Sequence, residues 1–503
     1  MLRNTKSQLI IIFLTGFILY YPVLSTYFSH DDFFHFIVSQ PHDKTGGYLY
    51  FLGFHPFSER GIAFYRPLFR EFLYGPFYQL FGLYALPFRI LQFMLHFTNI
   101  TLFYNLIAKL LKDKRIAFFS SFFFAISSSN VATLYYLAGG IQTLGALFFT
   151  LVTLTFFQKY LTSAIYKYKF LAFNSFLLAL ASHEQAAFTP FLLLGLIFLT
   201  KNFKLKIKNK LIMLWPFFLV TIIYIYLNFT IIGFSEAETQ YQISLNIERL
   251  ANSLAWYGGW ALGLPEMLID FVRPGLKLDS RLMRYWGNYF VIILPSFIIS
   301  VSILLSAFLF LIAKKSKILL SKHLWFFAVW FILGILPVII LPQHKSGHYL
   351  YVSLPAFWAA TLILVFAAFD LLKYKLPKIS ALILAVLIIS LSLLSSTSAI
   401  LGNRTYWASQ RGKLAEKLII DVKEKYPNLP KGAAIYFIND PTYPYVSEDW
   451  GGTSKQAYYA LNNQDALQLL YKDSSLKIFY EDLGGIPLDI PSDKVYSLET
   501  YIQ

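Results

Sequence analysis

The chain has 503 residues, of which 57% are hydrophobic, 19% aromatic and only 14% charged, and its mean hydropathy is +0.54. Soluble domains average about 25% charged residues, so this composition excludes an ordinary soluble protein and predicts a membrane protein with several spans. The net charge of +16 lies mostly in short lysine-rich segments between apolar stretches, which argues against nucleic acid as a partner. Because the chain has no cysteine, disulfides and thiolate metal sites are excluded.

Apolar stretches of roughly the length needed to cross the ~30 Å hydrocarbon core of a bilayer recur along the first four-fifths of the chain. They predict an all-α polytopic membrane domain over residues 1–401 that consists of about 11 transmembrane helices. We interpret the first as an uncleaved helix, because no small-residue cleavage site follows Leu24. The predicted spans are 8–26, 88–110, 116–130, 131–157, 170–182, 186–200, 211–231, 287–313, 324–341, 350–372 and 379–401.

Lysine and arginine in the connections predict the orientation, since these residues prefer cytoplasmic loops. The lysine-rich connections, which include residues 109–115, 201–210, 314–322 and 373–378, all fall on the side of the N-terminus. We therefore predict a multi-pass protein of the cell (plasma) membrane with a cytoplasmic N-terminus. The longer, aromatic-rich connections then lie outside, and they comprise residues 27–87, 232–286, 342–349 and 402–503.

An acidic pair, Asp31 and Asp32, directly follows the first predicted span, where a membrane helix meets water. Ionisable groups at that boundary are costly unless they serve a purpose. A partly dehydrated carboxyl group has a raised pKa and suits a general base whose substrate arrives through the lipid. The alternative is that the pair simply ends the helix and begins a solvated loop.

The same outer segment also contains a pattern typical of a helix that lies in the membrane interface. Apolar and aromatic residues recur at helical spacing over residues 64–74, with Arg66 and Arg70 among them. Residues 232–286 carry several tryptophans and charged residues, which predicts a second interfacial segment that covers the outer side. Both sets of aromatics also fit simple anchoring at the headgroup level.

The apolar run over residues 170–200 is too long for one span and too short for two. If it forms a hairpin, each arm rises only about 22 Å at 1.5 Å per residue, less than the hydrocarbon thickness. The tip, with His183 and Glu184, would then lie below the outer surface and face protein or a water-filled cavity. Alternatively, the tip reaches a locally thinned surface and only caps two helices.

The short outer connection at residues 342–349 could bind an anion. Lys345 supplies a point charge and His348 a hydrogen-bond donor, so a lipid phosphate would find partners there. An ordinary polar turn with one lysine would look the same.

Beyond residue 401 the composition changes to that of a soluble domain, and we predict a small extracytoplasmic α/β domain over residues 402–503. Helices are predicted over 413–425 and 455–471, and strands over 433–438 and 476–480. No metal-ligand spacing, phosphate loop or nucleophile elbow occurs in this sequence.

With these parts in place, the chain resembles the GT-C superfamily of membrane glycosyltransferases that use polyprenyl-phosphate-linked sugars, in particular the bacterial protein O-mannosyltransferases. The resemblance covers roughly residues 8–400 and depends on the order and common sidedness of several short motifs. These motifs are Asp31-Asp32, Tyr65-Arg66-Pro67-Leu68 with the sequence that runs on to His96, Ser182-His183-Glu184-Gln185 where the family often has Ser-Lys-Glu, and His348-Tyr349-Leu350-Tyr351 where it often has Arg-Tyr-Leu-Tyr.

The chain departs from the family pattern in places that concern substrates. His183 and His348 stand where relatives often have a lysine and an arginine. Residues 127–132 and 139–142 lack the His-Pro pair, the Glu, the Arg and the Asp that relatives often show. The reaction class is implied by the resemblance, whereas the sugar and the acceptor stay open.

The resemblance implies transfer of a sugar from a polyprenyl-phosphate donor to a protein, lipid or glycan acceptor at the outer face. In an inverting transfer the acceptor hydroxyl loses a proton while the lipid phosphate leaves as an anion, so the site needs a carboxylate and phosphate contacts. Asp31 is the predicted base, with Asp32 sharing the role or positioning the acceptor. The predicted substrate-binding residues are Arg66, Arg70, His183, Glu184, Lys345, His348, Tyr349 and Tyr351.

The sequence names no cofactor with certainty and leaves a divalent metal open. Two other functions also stay open. A flippase or transporter of lipid-linked sugars would place charges near the bilayer midplane, and a polysaccharide ligase would use a long pyrophosphate-linked donor.

Overall fold

The computed structural model describes residues 4–41, 46–200, 212–233, 242–273, 275, 277–443, 451–487 and 490–501. The lysine-rich segment 201–210 lies outside the described residues. Within them, the chain is a mostly helical polytopic membrane protein with a small α/β part at its C-terminal end.

The first helix leads into a compact segment of short helices over residues 27–81, part of the first predicted outer connection and called the outer segment below. Asn4 caps the first helix, because its side chain accepts a hydrogen bond from the Lys6 backbone N–H at 3.0 Å. The elements in chain order are α1 (Thr5–Tyr20), α2 (Asp31–Val38), α3 (Phe57–Arg60) and α4 (Glu71–Phe81).

The interfacial helix predicted over residues 64–74 is wrong in its bounds, because α4 begins only at Glu71. Phe64 has a positive φ of 66°, a conformation that a right-handed helix does not contain. The Leu68 N–H donates to the Ala181 carbonyl at 3.0 Å instead of to its own segment. Residues 64–70 are therefore an irregular strap, with a turn over residues 67–70, that ties this segment to the hairpin tip at residues 181–185.

In the described residues from 86 to 233, seven α-helices follow. They are α5 (Leu86–Leu111), α6 (Lys114–Ile126), α7 (Asn130–Tyr135), α8 (Leu137–Ser163), α9 (Tyr166–Leu180), α10 (Thr189–Leu199) and α11 (Trp215–Leu227). A single 3-10 helix, Glu184–Phe188, joins α9 to α10, which confirms the predicted short hairpin. α5 packs against α6 and α8, and α8 packs against α9.

The predicted second outer segment, described over residues 242–273, 275 and 277–279, contacts the connections at residues 127–130 and 342–349. Four long helices follow it. Its elements are α12 (Ile247–Leu262) and the antiparallel pair β1 (Val272–Arg273) and β2 (Lys277–Leu278). The long helices are α13 (Ser280–Ala313), α14 (Lys322–Ile339), α15 (Leu354–Lys375) and α16 (Pro377–Thr405). α13 packs on α16, and α14 packs on α15.

Among the described residues, eight helical segments are long and apolar enough to cross a membrane. They are Thr5–Ser25, Leu86–Leu111, Leu137–Ser163, Trp215–Ile232, Ser280–Ala313, Lys322–Ile339, Leu354–Lys375 and Pro377–Lys425. The other three of the eleven predicted spans correspond to α6, α9 and α10, which have only 13, 15 and 11 residues.

The C-terminal part is a three-stranded parallel sheet with helices packed on it. Its elements are α17 (Trp407–Lys425), β3 (Ala434–Asn439), α18 (Thr453–Leu461), α19 (Asp465–Tyr471), β4 (Lys477–Tyr480) and β5 (Val495–Thr500), and the strand order is β4-β3-β5. The helix predicted over 455–471 is interrupted, because Asn462 and Asn463 adopt positive φ values of 52° and 57°. Asparagine tolerates that conformation better than most residues.

The C-terminal part packs directly on the first outer segment. One hydrophobic core contains Phe28, Phe33 and Phe36 together with Leu418 and Leu467. The His30 N–H donates to the Ala460 carbonyl at 3.0 Å. The segment with Asp31 and Asp32, called the acidic segment below, is therefore held between the membrane helices and the C-terminal part.

Candidate active site

A cavity of about 490 Å³ lies where the outer segments meet. Five parts of the chain line it: the start of α2, α7 with the residues on either side of it, the segment that follows α12, the connection before α15, and the end of α16 with the start of α17. The polar and aromatic residues of the lining include His30, Asp31, Tyr136, Glu266, Asp270, His344, Lys345, Ser346, His348, Tyr406, Trp407 and Arg411.

Asp31 is the first residue of α2, and its side chain faces this cavity. One carboxylate oxygen, Oδ2, accepts a hydrogen bond from the Tyr136 hydroxyl. The other, Oδ1, lies 3.5 Å from Nε2 of His30. The side chain remains 37% exposed, so a substrate hydroxyl has access to it. Tyr136 lies directly before α8, and no sequence pattern pointed to its role.

Asp32 points away from the cavity and is fully buried. It accepts hydrogen bonds from the Ser29 N–H at 2.9 Å and from the Tyr74 hydroxyl at 3.1 Å. Burial raises the pKa of Asp32 to about 6, although the nearby Arg89 guanidinium and both hydrogen bonds oppose the rise. Its contacts are those of a residue that fixes the loop rather than one that meets a substrate.

Lys345 and His348 line the cavity together with Asp31. The Lys345 ammonium donates to the Pro342 carbonyl at 2.6 Å, and Nδ1 of His348 lies 3.0 Å from the Ser346 hydroxyl. Burial, with the nearby His344, His183 and Arg66, lowers the pKa of His348 well below its usual value. A neutral imidazole still has one N–H to donate.

Glu266 fixes the connection that carries these two residues. Its Oε2 accepts from the Gly347 N–H at 2.9 Å, and its Oε1 accepts from the Ser346 hydroxyl at 3.0 Å. Burial raises the pKa of Glu266 to about 7, against the lowering effect of those two hydrogen bonds. Glu266 therefore changes charge near neutral pH while it holds the wall of the cavity.

Arg66 and Glu184, two of the predicted site residues, form an ion pair with each other. The Arg66 guanidinium donates two hydrogen bonds to the Glu184 carboxylate, at 2.7 and 2.6 Å, and a third to Gln142 Oε1 at 2.8 Å. Neither lines the cavity. They lie behind it, next to the rings of His183, Tyr349 and His348. The His183 and Tyr349 rings meet edge to face with centroids 6.2 Å apart, and the Tyr349 and His348 rings are tilted with centroids 3.9 Å apart.

The other predicted site residues do not line the cavity either. Arg70 is buried and donates to Glu71 Oε1 at 2.9 Å. His183 is fully buried, and its Nδ1 accepts from the Gln185 N–H at 3.2 Å. The Tyr349 carbonyl accepts from the Gln185 side chain at 2.8 Å, and the Tyr351 hydroxyl lies 2.8 Å from Nδ1 of His96 in the core.

Arg411 and Trp407 line the cavity from α17, a part of the chain to which sequence reasoning assigned no site residue. The Arg411 guanidinium lies between two rings, with its carbon 5.1 Å from the Trp407 centroid and 4.9 Å from the Tyr459 centroid. The spacing of four residues puts Trp407 and Arg411 on one helix face. An aromatic and a basic residue on one helix face, directly after the last span, could have indicated from the sequence that α17 contributes to the site.

Carboxylates and imidazoles are the protein groups that a divalent metal would need here. In the described part of the chain, no three or more His, Asp or Glu residues come together as a metal site. Asp31, Glu266 and Asp270 share the cavity without forming such a cluster.

No family model and no curated protein matches the chain. Three solved structures with a similar arrangement are all oligosaccharyltransferases of Archaeoglobus fulgidus, each 11% identical over 94% of this chain. They are the apo form, with 64% of that chain covered and a TM-score of 0.48; the complex with Zn and sulfate, with 62% and 0.44; and AglB with an inhibitory peptide and a dolichol-phosphate, with 64% and 0.43. This chain therefore spans less than two thirds of their length.

Proposed function

We propose that this chain is a membrane glycosyltransferase of the GT-C type, which moves a sugar from a polyprenyl-phosphate donor to an acceptor at the outer face of the membrane. One observation carries the proposal. A single cavity at one end of the apolar helices contains a carboxylate with an accessible oxygen, Asp31, and, in the same lining, the donors Lys345 and His348. The carboxylate suits the proton that the acceptor hydroxyl loses, and the donors suit the negative charge that develops on the leaving phosphate.

The proposed reaction is a single displacement. The acceptor hydroxyl transfers its proton to Asp31 as its oxygen forms a bond to the anomeric carbon of the donor sugar. The bond from that carbon to the phosphate oxygen breaks, and polyprenyl phosphate leaves with the electron pair. Lys345 and His348 donate to the leaving phosphate, where negative charge develops.

Other predicted residues support this arrangement without a substrate contact. Tyr136 holds Asp31 through its hydroxyl, and Glu266 holds the connection with Lys345 and His348. Asp32 fixes the residues that precede α2 through the Ser29 N–H and contacts α4 through the Tyr74 hydroxyl. Arg66 and Glu184 lie behind the wall, where a Glu184 carboxylate oxygen is 3.6 Å from Nδ1 of the buried His183.

We place the cavity outside the cell membrane and the N-terminus in the cytoplasm. The support is the distribution of lysine and arginine, which favour the opposite, cytoplasmic connections.

The first experiment compares Asp31→Asn, Asp32→Asn and the double variant in membranes supplied with polyprenyl-phosphate hexoses. Release of polyprenyl phosphate and the sugar-bearing product are measured by mass spectrometry. We expect Asp31→Asn to lower transfer by about 10²-fold or more, because the general base is removed. Asp32→Asn is expected to lower the thermal stability and to reduce transfer less.

The control is Asp493→Asn, which removes an exposed carboxylate from the C-terminal part and should leave transfer unchanged. Full transfer by Asp31→Asn would contradict the assignment of the base. If the labelled lipid moves between the two leaflets of a vesicle membrane and is not consumed, the protein is a transporter and the proposed transferase function is wrong.

A further inference from the structure

A second cavity, of about 700 Å³, adjoins the candidate active site on the side of the C-terminal part. Asp270, Thr405, Trp407 and Arg411 line both cavities, which makes the two spaces neighbours with one shared wall. The rest of the second lining comes from α17 and from the C-terminal sheet region. A molecule that occupies the second cavity therefore reaches the wall of the first.

The charges around the second cavity are mainly positive. Arg411, Lys413 and Lys417 of α17 line it, and Asp270 is the one carboxylate in the described lining. The Lys417 ammonium is engaged with the Tyr501 carbonyl at 3.0 Å, whereas Lys413 is exposed. A concave surface with three cations to one anion attracts negatively charged ligands.

The neutral part of the lining combines flat rings with side-chain amides. Trp407 and Tyr443 supply rings, and Gln410 and Gln456 supply side-chain amides, of which the Gln410 Nε2 donates to the Arg404 carbonyl at 2.6 Å. Rings of this kind cover the apolar faces of sugar units, while amides match their hydroxyl groups. This lining is suited to a saccharide more than to an extended peptide or a lipid tail.

Arg411 connects the two cavities. Trp407 and Tyr459 hold its guanidinium between their rings, an arrangement that cation–π attraction stabilises. Its charge also interacts with Asp31 in the first cavity. A guanidinium fixed in this way presents a preformed fork to a carboxylate.

We propose that the second cavity binds an acidic saccharide, with a sugar carboxylate on the Arg411 guanidinium and Lys413 as a flanking charge. The bound saccharide is the acceptor of the transfer, and its free hydroxyl faces Asp31. The role as acceptor depends on the proposed function, whereas binding of the acidic saccharide does not.

The test measures binding of tetragalacturonate to the full-length protein in phosphatidylcholine nanodiscs by isothermal titration calorimetry. We expect Arg411→Gln to weaken binding roughly tenfold, which corresponds to about 1.4 kcal/mol. Lys413→Gln should weaken it severalfold, and added salt should weaken it further. Lys431→Gln, which removes the same charge from an exposed turn outside both linings, should leave binding unchanged. Thermal unfolding of each variant checks that it is folded.

Two further ligands decide between sources of negative charge. A neutral glucose tetrasaccharide should bind much more weakly than tetragalacturonate, and tetraglutamate should bind no better than the neutral sugar. Absence of tetragalacturonate binding, equal binding of tetraglutamate, or full binding by folded Arg411→Gln with Lys413→Gln would overturn the proposal. If tetragalacturonate binds as expected and no polyprenyl donor is consumed, the saccharide site stands and the transferase fails.

Discussion

At the scale of single residues, Glu266 is the carboxyl group through which pH should act on the site. Its pKa is about 7 in the fold, against an ordinary value of 4.5, so the folded state binds its proton more tightly than the unfolded chain does. The resulting stability is fully present below about pH 4.5 and is lost as the pH rises through about 7.

The first residue-scale prediction follows from this difference. Between pH 5 and pH 8 the wild-type protein should lose stability on the order of 1–3 kcal/mol relative to Glu266→Gln, which has no proton to lose at that position. The measurement is thermal unfolding of both proteins in the same detergent over that pH range. Parallel pH profiles of the two proteins would show that Glu266 does not control the connection at residues 346–348.

The sequence predicted that both Asp31 and Asp32 act at the substrate, with Asp31 as the base, whereas in the structure only Asp31 lines the cavity. Successive residues of a helix point about 100° apart, so one carboxylate of the pair had to turn away. The choice is made by Tyr136 on one side and by Tyr74 with Ser29 on the other. Those contacts join distant parts of the chain, which no local pattern contains.

At the scale of elements, the short hairpin of α9 and α10 is stabilised at its tip by the outer strap. The Arg66 side chain is 14% exposed and that of Glu184 is 20% exposed, and they share two hydrogen bonds. Removing one partner leaves a poorly solvated charge on the other. The pair thus couples the hairpin to the outer segment.

We predict that Glu184→Gln lowers the free energy of unfolding by about 2–4 kcal/mol, somewhat less than for a fully buried pair. Thermal or denaturant unfolding in detergent measures the loss. Asp370→Asn is the matched control, because the Asp370 side chain is 49% exposed where it pairs with Arg115, and such pairs contribute about 1 kcal/mol or less. An equal effect of the two substitutions would contradict the structural role of the hairpin tip.

Apolar patterning predicted the helices well and the straps between them poorly. The hairpin at residues 170–200 could be predicted because the apolar run there is too long for one span and too short for two. The start of α4 did not, because residues 64–70 have helical spacing but turn aside at Phe64 and Leu68 to contact residues 181–184. Tertiary contacts override spacing where a segment packs on a distant tip.

At the scale of the whole molecule, the C-terminal part acts as a support for the acidic segment. Its position was not predictable from its own sequence, although β3, β4 and α17 were expected close to where they occur, because the contacts involve residues about 400 positions apart. The Tyr78 hydroxyl, for example, donates to the Leu469 carbonyl at 2.8 Å. Packing of α2 against α4 and α19 makes the geometry of Asp31 dependent on the C-terminal core.

This dependence gives a prediction that separates support of the site from general stability. Leu467→Ala and Leu311→Ala each remove a fully buried leucine, and each should cost about 2–5 kcal/mol. Leu467 belongs to the core that contains Phe33 of α2, whereas Leu311 packs with Ala307 and Ala368 in a separate cluster. Transfer per folded molecule, measured with polyprenyl-phosphate sugar, should therefore fall severalfold in Leu467→Ala alone. Equal activity of the two folded variants would show that the C-terminal core does not position Asp31.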